Sequence, residues 1–280
     1  MKKKICILIR VYNRVEDLDY CVNIIRDTWK LNDYYIIVVS NGQKDGYIVS
    51  EDCKSKIDKL VDLTNNVGHF QGNSQLLLEG LAYIPDDCEY TIILEADTWI
   101  YKDDITNKYI KKLDEENAVW ASAQFFRYIL NLATDFAIVK TSFIKTHPEI
   151  FTFSGTPEYY VANYLKSKNL KFVYITENMP VSLPRYIKRY PYAPTGRFFT
   201  FVKGKMVTHH IELLKDGMDE KKFYFNLAAD TDYFKLSKPK LYKWVQFKIR
   251  IFIALSYLIP YKSWLIKEKS YSFNDSHVKI

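Results

Sequence analysis

The stretch YTIILEADTWI, residues 90–100, begins as a row of apolar residues and then places two carboxylates, Glu95 and Asp97, two positions apart. An unbroken apolar row of this length is typical of a strand that is buried on both faces, as in a parallel sheet. Burying an ionised carboxylate without a partner is costly. The pattern therefore predicts a strand that ends beside a cation or a proton, where both carboxylates can turn toward a ligand above the sheet.

Three earlier stretches also run from a strand into a polar turn. KICILIRVYNR (4–14) and YYIIVVSNG (34–42) are apolar runs that end in polar residues, and the shorter KLVDL (59–63) is followed by TNNVGHFQGN. Between these strands, residues 18–29 and 74–84 have the apolar spacing of helices. This alternation predicts an α/β fold with a mostly parallel, Rossmann-like sheet flanked by helices on both faces. Ligands bind such sheets at the carboxyl ends of the strands, which is where the polar turns fall.

The second half of the chain has a less regular pattern. AVWASAQFF (118–126), TDFAIVKTSFI (134–144) and LKFVYI (170–175) are predicted to be strands, and EYYVANYLKSKN (158–169) is predicted to be a helix. Proline, glycine and aromatic residues alternate with Arg and Lys over residues 179–205, which predicts a long surface loop.

Charge and cysteine content limit the class of protein. Lys and Arg outnumber Asp and Glu by 40 to 33, giving a net charge of +7 that favours anionic partners. The cysteines have no metal-site spacing, so we expect reduced structural thiols. The first residues contain too few apolar positions for a signal peptide, and we expect a cytoplasmic protein.

Two interpretations of Glu95 and Asp97 stay open on the residues alone. Carboxylates that turn toward a ligand suit a hard cation such as Mg²⁺ or Mn²⁺, which completes its shell with substrate phosphates. Alternatively, Glu95 caps a turn or pairs with a lysine while Asp97 begins the following loop.

The order of these motifs resembles the family 2 glycosyltransferases of the GT-A fold, over about residues 4–176. IRVYNR (9–14) is similar to the first-strand motif that holds the nucleobase, and VVSNG (38–42) lies where the family has an acidic turn. NNVGHFQGNSQLLLEGL (65–81) is similar to the Asn-x-Gly segment that leads into a helix, and LEADTWI (94–100) to the Asp-x-Asp metal motif. The resemblance implies transfer of a sugar from a nucleotide diphosphate sugar.

This chain differs from the family pattern at two places. Ser40 and Asn41 stand where the family has an acidic pair, and Glu95 stands in place of the first Asp. With those differences, the resemblance implies donor contacts by Arg10, Tyr12, Asn13, Arg14, Ser40, Asn41, Asn66, Gly68, His69, Gly72, Glu95 and Ala96.

The resemblance also implies a metal site. Asp97, with Glu95 nearby, would hold Mn²⁺ or Mg²⁺, and one histidine of KMVTHH (205–210) would complete the shell. His209 and His210 are adjacent on an extended segment and face opposite ways, so we expect only one of them to bind metal. The alternative is that both are surface histidines.

Glu158 matches the catalytic carboxylate of the family. It precedes a helix, a polar turn and a strand, and a carboxylate there would act as the general base of an inverting transferase. The alternative is a helix start, since Glu in a first turn after Pro157 complements the helix dipole. In that case a retaining reaction stays possible.

Two other functions share some of these sequence features. A sugar nucleotidyltransferase would share the sheet and a metal carboxylate, and a non-catalytic membrane-binding or nucleic-acid-binding module would suit basic, aromatic-rich segments. We favour the glycosyltransferase, with a glycan or lipid-linked acceptor, no nucleic acid partner and a possible homo-oligomer. We expect a catalytic domain over 1–205, divided near residue 105 into donor and acceptor halves, then a closing segment over 206–237.

The final segment, residues 238–280, changes character. An apolar row there is flanked by Lys and Arg, and its longest uncharged stretch, 251–261, is shorter than the ~20 residues that a spanning helix needs. We expect an amphipathic helix pair on the anionic inner face of the plasma membrane. The alternative is packing against the catalytic domain or a second subunit. The aromatic residues expected at the headgroup level are Tyr242, Trp244, Tyr257, Tyr261 and Trp264.

Overall fold

The structure is a computed structural model that describes residues 2–125, 130–178, 205–208 and 214–258, with side chains as far as Ile251. The strands are β1 (Lys4–Val11), β2 (Asp33–Ser40), β3 (Lys59–Asp62), β4 (Tyr90–Glu95), β5 (Trp99–Ile100), β6 (Trp120–Ser122), β7 (Phe136–Lys140), β8 (Phe172–Tyr174) and β9 (Met206–Val207). The α-helices are α1 (Val15–Thr28), α2 (Glu51–Lys54), α3 (His69–Leu81), α4 (Asp104–Glu115), α5 (Thr141–Thr146), α6 (Pro157–Ser167), α7 (Met218–Ala229) and α8 (Pro239–Leu258).

A seven-stranded sheet with the order β3-β2-β1-β4-β7-β6-β8 forms the centre of the described chain. Strands β1 to β4 pair in parallel, whereas β7 runs antiparallel to both of its neighbours. Strands β6 and β8 pair in parallel again. This arrangement confirms the predicted α/β fold with a mostly parallel sheet, and it brings the polar turns after β1, β2 and β4 to one edge.

Strand β1 explains how the sheet holds two layers of helices. Its side chains alternate between the two faces, so Ile5, Ile7 and Ile9 belong to one apolar core and Cys6 and Leu8 to the other. Helices α1, α4, α7 and α8 cover the first face, and helices α3, α5 and α6 cover the second. Both faces of the sheet are shielded from solvent, which is why the strand sequence is apolar at nearly every position.

The strand predicted over residues 134–144 is shorter in the structure. Strand β7 ends at Lys140, which pairs with Tyr90, the first residue of β4, so the strand has no partner to follow beyond that point. The chain then enters helix α5 at Thr141, whose hydroxyl lies 2.9 Å from that of Thr91 in the core. The β-branched and aromatic residues of this helix account for the wrong prediction.

A short second sheet joins residues 206–207 to the segment that follows Asp97. Strand β9 pairs antiparallel with β5, matching Trp99 with Val207 and Ile100 with Met206. Because β5 begins two residues after Asp97, residues 205–208 lie beside that carboxylate's segment. The predicted boundaries at residues 105, 205 and 237 stay predictions.

Helix α8 confirms a C-terminal amphipathic helix but corrects one of its predicted roles. Tyr242 is not at a headgroup surface: it is 1% exposed, and its ring stacks on Phe223 at 4.6 Å between centroids. Its hydroxyl donates to the Asp216 carboxylate at 3.1 Å. Within the described chain, no helix is both long and apolar enough to cross a membrane. The side chains of Tyr257, Tyr261 and Trp264 lie outside the described residues.

Candidate active site

A cavity of about 580 Å³ opens at the carboxyl ends of β1 and β4. We call it the strand-end cavity. Its walls come from the turns after β1, β2 and β4 and from the start of α3. The residues that line it are Arg10, Val11, Tyr12, Asn13, Arg14, Asn41, Asn66, Gly68, His69, Gly72, Asn73, Leu76, Glu95, Ala96 and Asp97.

The structure thus brings together all but one of the residues for which donor contacts were predicted. The exception is Ser40, whose side chain is fully buried at the end of β2 and accepts a hydrogen bond from the Gly42 amide at 3.5 Å. Ser40 therefore supports the turn below the cavity. Val11, Asn73 and Leu76 are cavity residues that the motif comparison did not single out.

Glu95 is paired with a buried arginine. Arg10 is 3% exposed, and its Nη2 donates to Glu95 Oε1 at 2.5 Å and to the Thr134 carbonyl at 2.7 Å. A charged group in this position needs such partners, because solvent cannot reach it. The cation that makes Glu95 tolerable at the strand end is therefore Arg10, in place of the lysine considered as an alternative.

Asp97 is in a different electrostatic position. It is 5% exposed, and within the described chain its Oδ1 is buried without a hydrogen-bond partner. Three other atoms of the same cavity are buried and have no partner among the described residues: Arg10 Nε, Arg10 Nη1 and Asn41 Oδ1. Buried polar atoms almost always have a partner in a native protein. The cavity thus offers unused donors and acceptors to a polar ligand.

The residues present fit a divalent cation at Asp97. An orphaned carboxylate oxygen at a cavity wall is the ligand that Mg²⁺ and Mn²⁺ prefer, and these ions complete their shell with water and phosphate. Among the described residues there is no group of three or more metal-binding side chains. His209 and His210 lie outside the described residues, immediately after Thr208.

Lys221 of helix α7 fixes the backbone at Asp97. Its ammonium is 1% exposed and donates to the Asp97 carbonyl at 2.6 Å and to Asp17 Oδ1 at 2.5 Å. It also lies 4.4 Å from the centroid of the Trp99 ring. Burial raises the pKa of Asp17, and the neighbouring Lys221 counteracts part of that increase. A helix from the late chain thereby supports the cavity wall.

The start of α3 approaches the cavity closely because two glycines permit it. Gly68 has a φ of +100°, in the region that favours glycine. A Cβ at Gly72 would lie 2.6 Å from Asn66 Oδ1 and 3.2 Å from Asn41 Nδ2. The first turn of α3, beginning with the exposed His69, presents free backbone amides that favour an anion.

Tyr12 stands at the rim. It is 36% exposed, packs edge-on against Tyr47 with 5.3 Å between ring centroids, and donates from its hydroxyl to Asp45 at 3.1 Å. The exposed ring of Tyr12 at the mouth of a polar cavity is suited to stacking on a planar ring.

Glu158 does not line the strand-end cavity. It lies half-buried in the first turn of α6, and its backbone carbonyl accepts from the Leu132 amide at 3.0 Å. Two residues after Leu132, Thr134 holds Arg10. The helix start is thus joined to the cavity wall by one short segment.

Comparisons with known proteins identify the family. The model of glycosyl transferase family 2 matches residues 6–168, more than half of the chain. The chain belongs to glycosyl transferase family 2. Family membership confirms the predicted family and the predicted enzyme class, a glycosyltransferase. Among curated proteins no match was found.

Solved structures similar to this glycosyltransferase include three of related type. The mannosyltransferase PcManGT of Pyrobaculum calidifontis, in complex with GDP-Man and Mn²⁺, is 14% identical, with 52% of this chain and 47% of that chain covered and a TM-score of 0.42. S. aureus TarS 1–349 in complex with UDP-GlcNAc is 14% identical, with 57% and 51% covered and a TM-score of 0.41. The catalytic domain of Drosophila β1,4-galactosyltransferase 7, in complex with xylobiose, is 13% identical, with 61% and 64% covered and a TM-score of 0.40. This chain spans about half the length of the first two.

Two contributors to the site of this family 2 enzyme were missed in the sequence. Thr134 and Lys221 each lie 124 residues from their partners, Arg10 and Asp97. Lys221 stands among charged residues in MDEKKFYF, a pattern typical of a solvated helix face. Only the sheet topology brings either residue to the strand end, so no local signal marked them.

Proposed function

We propose that this glycosyltransferase moves a sugar from a nucleotide diphosphate sugar to a glycan or lipid-linked acceptor, with a divalent metal at Asp97 and inversion at the sugar carbon. The observation that supports this most is Asp97 Oδ1, which is buried at the cavity wall without a partner among the described residues. An ionised carboxylate in that position is costly, and a bound divalent cation offsets the cost.

The donor would lie along the strand-end cavity. Tyr12 is exposed at the rim, where its ring can stack on the base, and Asn41 Oδ1 can accept from a base N–H. The unpartnered N–H groups of Arg10 and the first turn of α3 suit the negative diphosphate. Arg14 and His69 line the same wall and add cationic or donor groups.

Asp97 is the residue that would hold Mn²⁺ or Mg²⁺, with one of His209 and His210 as a further candidate ligand. When bound, the metal supplies positive charge that stabilises the diphosphate as the sugar departs. Glu95 already neutralises Arg10, so it contributes to the site by orienting that guanidinium. Lys221 holds the Asp97 carbonyl and keeps the carboxylate directed at the cavity.

Glu158 would act as the general base. In this role its carboxylate takes the proton of an acceptor hydroxyl while that oxygen bonds to the anomeric carbon. The bond from the anomeric carbon to the phosphate oxygen breaks, and the nucleotide diphosphate leaves on the opposite face. The link from α6 through Leu132 and Thr134 to Arg10 supports this role, because it gives Glu158 a fixed place relative to the donor wall.

The basic and aromatic end of the chain favours an acceptor held at a membrane. We therefore place the reaction in the synthesis of surface polysaccharide, on the cytoplasmic face of the plasma membrane. The protein would be peripheral there, as the charge of residues 238–258 suggests.

The proposal is tested by incubating the protein with a panel of nucleotide diphosphate sugars, Mn²⁺ and candidate glycan or polyprenyl-linked acceptors. Mass spectrometry should detect a new glycoside together with free nucleotide diphosphate, and EDTA should stop its formation. NMR of the product should give the inverted anomer. Transfer that proceeds in EDTA, or a retained anomer, would contradict the metal or the Glu158 part of the proposal respectively. Formation of a nucleotide sugar from a sugar 1-phosphate and a nucleoside triphosphate would favour the nucleotidyltransferase instead.

A further inference from the structure

Helix α8 is anchored to the catalytic fold by one of its faces. Tyr242, Val245 and Ile249 are between 1% and 7% exposed and belong to the same apolar core as strand β1. Lys238, just before the helix, pairs with Asp216 at 3.1 Å. The helix is therefore held in one orientation relative to the sheet.

The opposite face of α8 is also apolar, although it faces solvent. Trp244 and Phe247 are each 54% exposed and Ile251 is 41% exposed. At 3.6 residues per turn these positions form one line along the helix, about 180° from the buried face. We call these three residues the outer stripe. Single exposed apolar residues are ordinary, but an aligned set on one helix usually marks an interaction surface.

The outer stripe is preorganised. The rings of Trp244 and Phe247 stack with 5.8 Å between centroids and 19° between planes, and Lys248 Nζ lies 4.7 Å from the centroid of Trp244. The aromatic pair therefore needs little ordering on binding, which lowers the entropic cost of an interaction there.

The charged residues of the helix segment itself all have one sign, although Lys238 pairs with Asp216 and Arg250 with Asp230 from outside it. Residues 238–258 contain Lys238, Lys240, Lys243, Lys248 and Arg250 and no carboxylate. Lys240 and Lys243 are exposed and, in the described chain, form no ion pair. Lys240 lies on the line of the stripe and Lys243 beside it, by helical geometry. An apolar line edged by cations is complementary to a surface with an apolar interior and anionic headgroups.

We propose that the outer stripe of α8 is the surface by which this protein binds a bilayer that contains anionic lipid. Trp244 and Phe247 enter the boundary between headgroups and acyl chains, and Lys240 and Lys243 contact lipid phosphates. The inference concerns binding only and does not depend on the transfer reaction. It also fixes the orientation of the active site, because α8 packs on α7 and α7 carries Lys221 to Asp97.

Two other occupants fit the charges less well. A second copy would bring Lys240 and Lys243 against the same cations of its partner, and like charges repel. Residues 259–280 of this chain carry four lysines against Glu268 and Asp275, so they too are basic and would be repelled.

The test is flotation of the full chain with vesicles of phosphatidylcholine alone or mixed with phosphatidylglycerol. The wild-type protein should float with the anionic vesicles at low salt, bind neutral vesicles at least roughly tenfold more weakly, and be released as salt rises. The Trp244→Ala/Phe247→Ala variant should bind anionic vesicles at least roughly tenfold more weakly, because it loses the apolar insertion. The Lys240→Gln/Lys243→Gln variant should lose a similar factor and most of the salt dependence.

Matched control variants test whether a loss of vesicle binding is specific to the outer stripe. Leu31→Ala removes another exposed aliphatic side chain, 47% exposed, and Lys111→Gln removes another exposed lysine. Both should float like wild type, and all variants should keep the wild-type melting temperature, since each altered side chain is exposed. Failure of the wild-type protein to float at low salt, or floating of both α8 variants at the wild-type level, would overturn the proposal. A wild-type dimer that Trp244→Ala/Phe247→Ala converts to a monomer, without vesicle binding, would assign the stripe to a second copy and also overturn it.

Discussion

The ammonium nitrogen of Lys221 lies 2.6 Å from the backbone carbonyl oxygen of Asp97, so helix α7 holds the turn that follows β4. The same ammonium pairs with Asp17 at the start of α1, and all three groups are shielded from solvent. Because β5 begins at Trp99, directly after this turn, and pairs with β9, the turn is supported on two sides by the chain beyond residue 205. The candidate site is therefore built from both ends of the sequence.

Replacing Lys221 should be costly in stability and in donor binding. Lys221→Met leaves the buried Asp17 without its cation, which should lower the free energy of unfolding by about 3–5 kcal/mol. Denaturant melts measure this, and nucleotide titration should give a weaker affinity because the Asp97 turn loses its support. Lys222→Met is the matched control: its ammonium donates to the Tyr20 hydroxyl at 2.7 Å, and its loss should cost about 1 kcal/mol.

The loss of stability in Lys221→Met, relative to wild type, should become smaller as the pH falls. Burial raises the pKa of Asp17 in the folded state, so the folded state binds its proton more readily than the unfolded state. Stability from such a group is present at low pH and is lost as the pH rises through the folded pKa. The variant should therefore regain stability relative to wild type as the pH falls, and a deficit that grows in acid would exclude this origin.

The pair of Arg10 and Glu95 should matter for donor affinity more than for the fold. Glu95→Gln keeps an oxygen acceptor but removes the charge beside Arg10, and we expect about 1.5 kcal/mol of lost stability. Arg10→Lys keeps one nitrogen for Glu95 and Thr134 but removes Nε and Nη1, the N–H groups left for the diphosphate, so nucleotide binding should weaken by roughly tenfold or more. Denaturant melts measure the stability of Glu95→Gln, and calorimetric titration measures the nucleotide affinity of Arg10→Lys. Wild-type affinity in Arg10→Lys would remove the guanidinium from the donor site.

Glu158→Gln tests whether Glu158 acts as the general base or only begins helix α6. Turnover should fall by roughly a hundredfold or more while donor affinity is unchanged, as expected when a general base is lost. Glu149→Gln is the control, since this carboxylate lies on the same side of the sheet and accepts a hydrogen bond from the Tyr164 hydroxyl at 2.5 Å. If Glu158→Gln turns over within a few fold of wild type, Glu158 serves only the helix.

Three glycines give a graded test of the cavity. Gly72→Ala should weaken nucleotide binding by roughly tenfold, because its methyl group would lie 2.6 Å from Asn66 Oδ1, with a small effect on melting. Gly80→Ala should instead cost about 1–3 kcal/mol of stability, since its methyl group would lie 2.4 Å from Leu8 in the core. Among the described residues the new methyl group of Gly155→Ala would meet nothing within 4 Å, so stability should be unchanged. A Gly72→Ala variant with wild-type affinity would separate this turn from the donor.

The strand and helix pattern was readable because β1 and β4 are buried on both faces and leave an unmistakable apolar row. The strand-end cavity was also readable, since Tyr12, Asn41 and Glu95 stand at strand ends and Asn66 precedes a helix, and parallel strands bring such turns together. Local pattern alone was sufficient for these features.

Partners that are distant in sequence were not readable. Arg10 and Glu95 lie 85 residues apart, and nothing local shows that one neutralises the other. Tyr242 and Trp244 belong to the same basic, aromatic stretch, yet one is buried on Phe223 and the other is exposed. Deciding between them needs the orientation of the helix, which depends on the tertiary contacts of α7.

If Asp97 holds a divalent cation beside the donor, nucleotide binding is metal-dependent. The direct measurement is calorimetric titration of UDP and GDP into wild-type protein and Asp97→Asn, each with Mn²⁺ and with EDTA, after a melting curve has established that both are folded. We expect one of the nucleotides to bind wild type with Mn²⁺ at least roughly tenfold more tightly than with EDTA. In Asp97→Asn this difference should disappear. Equal affinity with Mn²⁺ and EDTA in the wild-type protein, or an unchanged Mn²⁺ effect in Asp97→Asn, would contradict the claim.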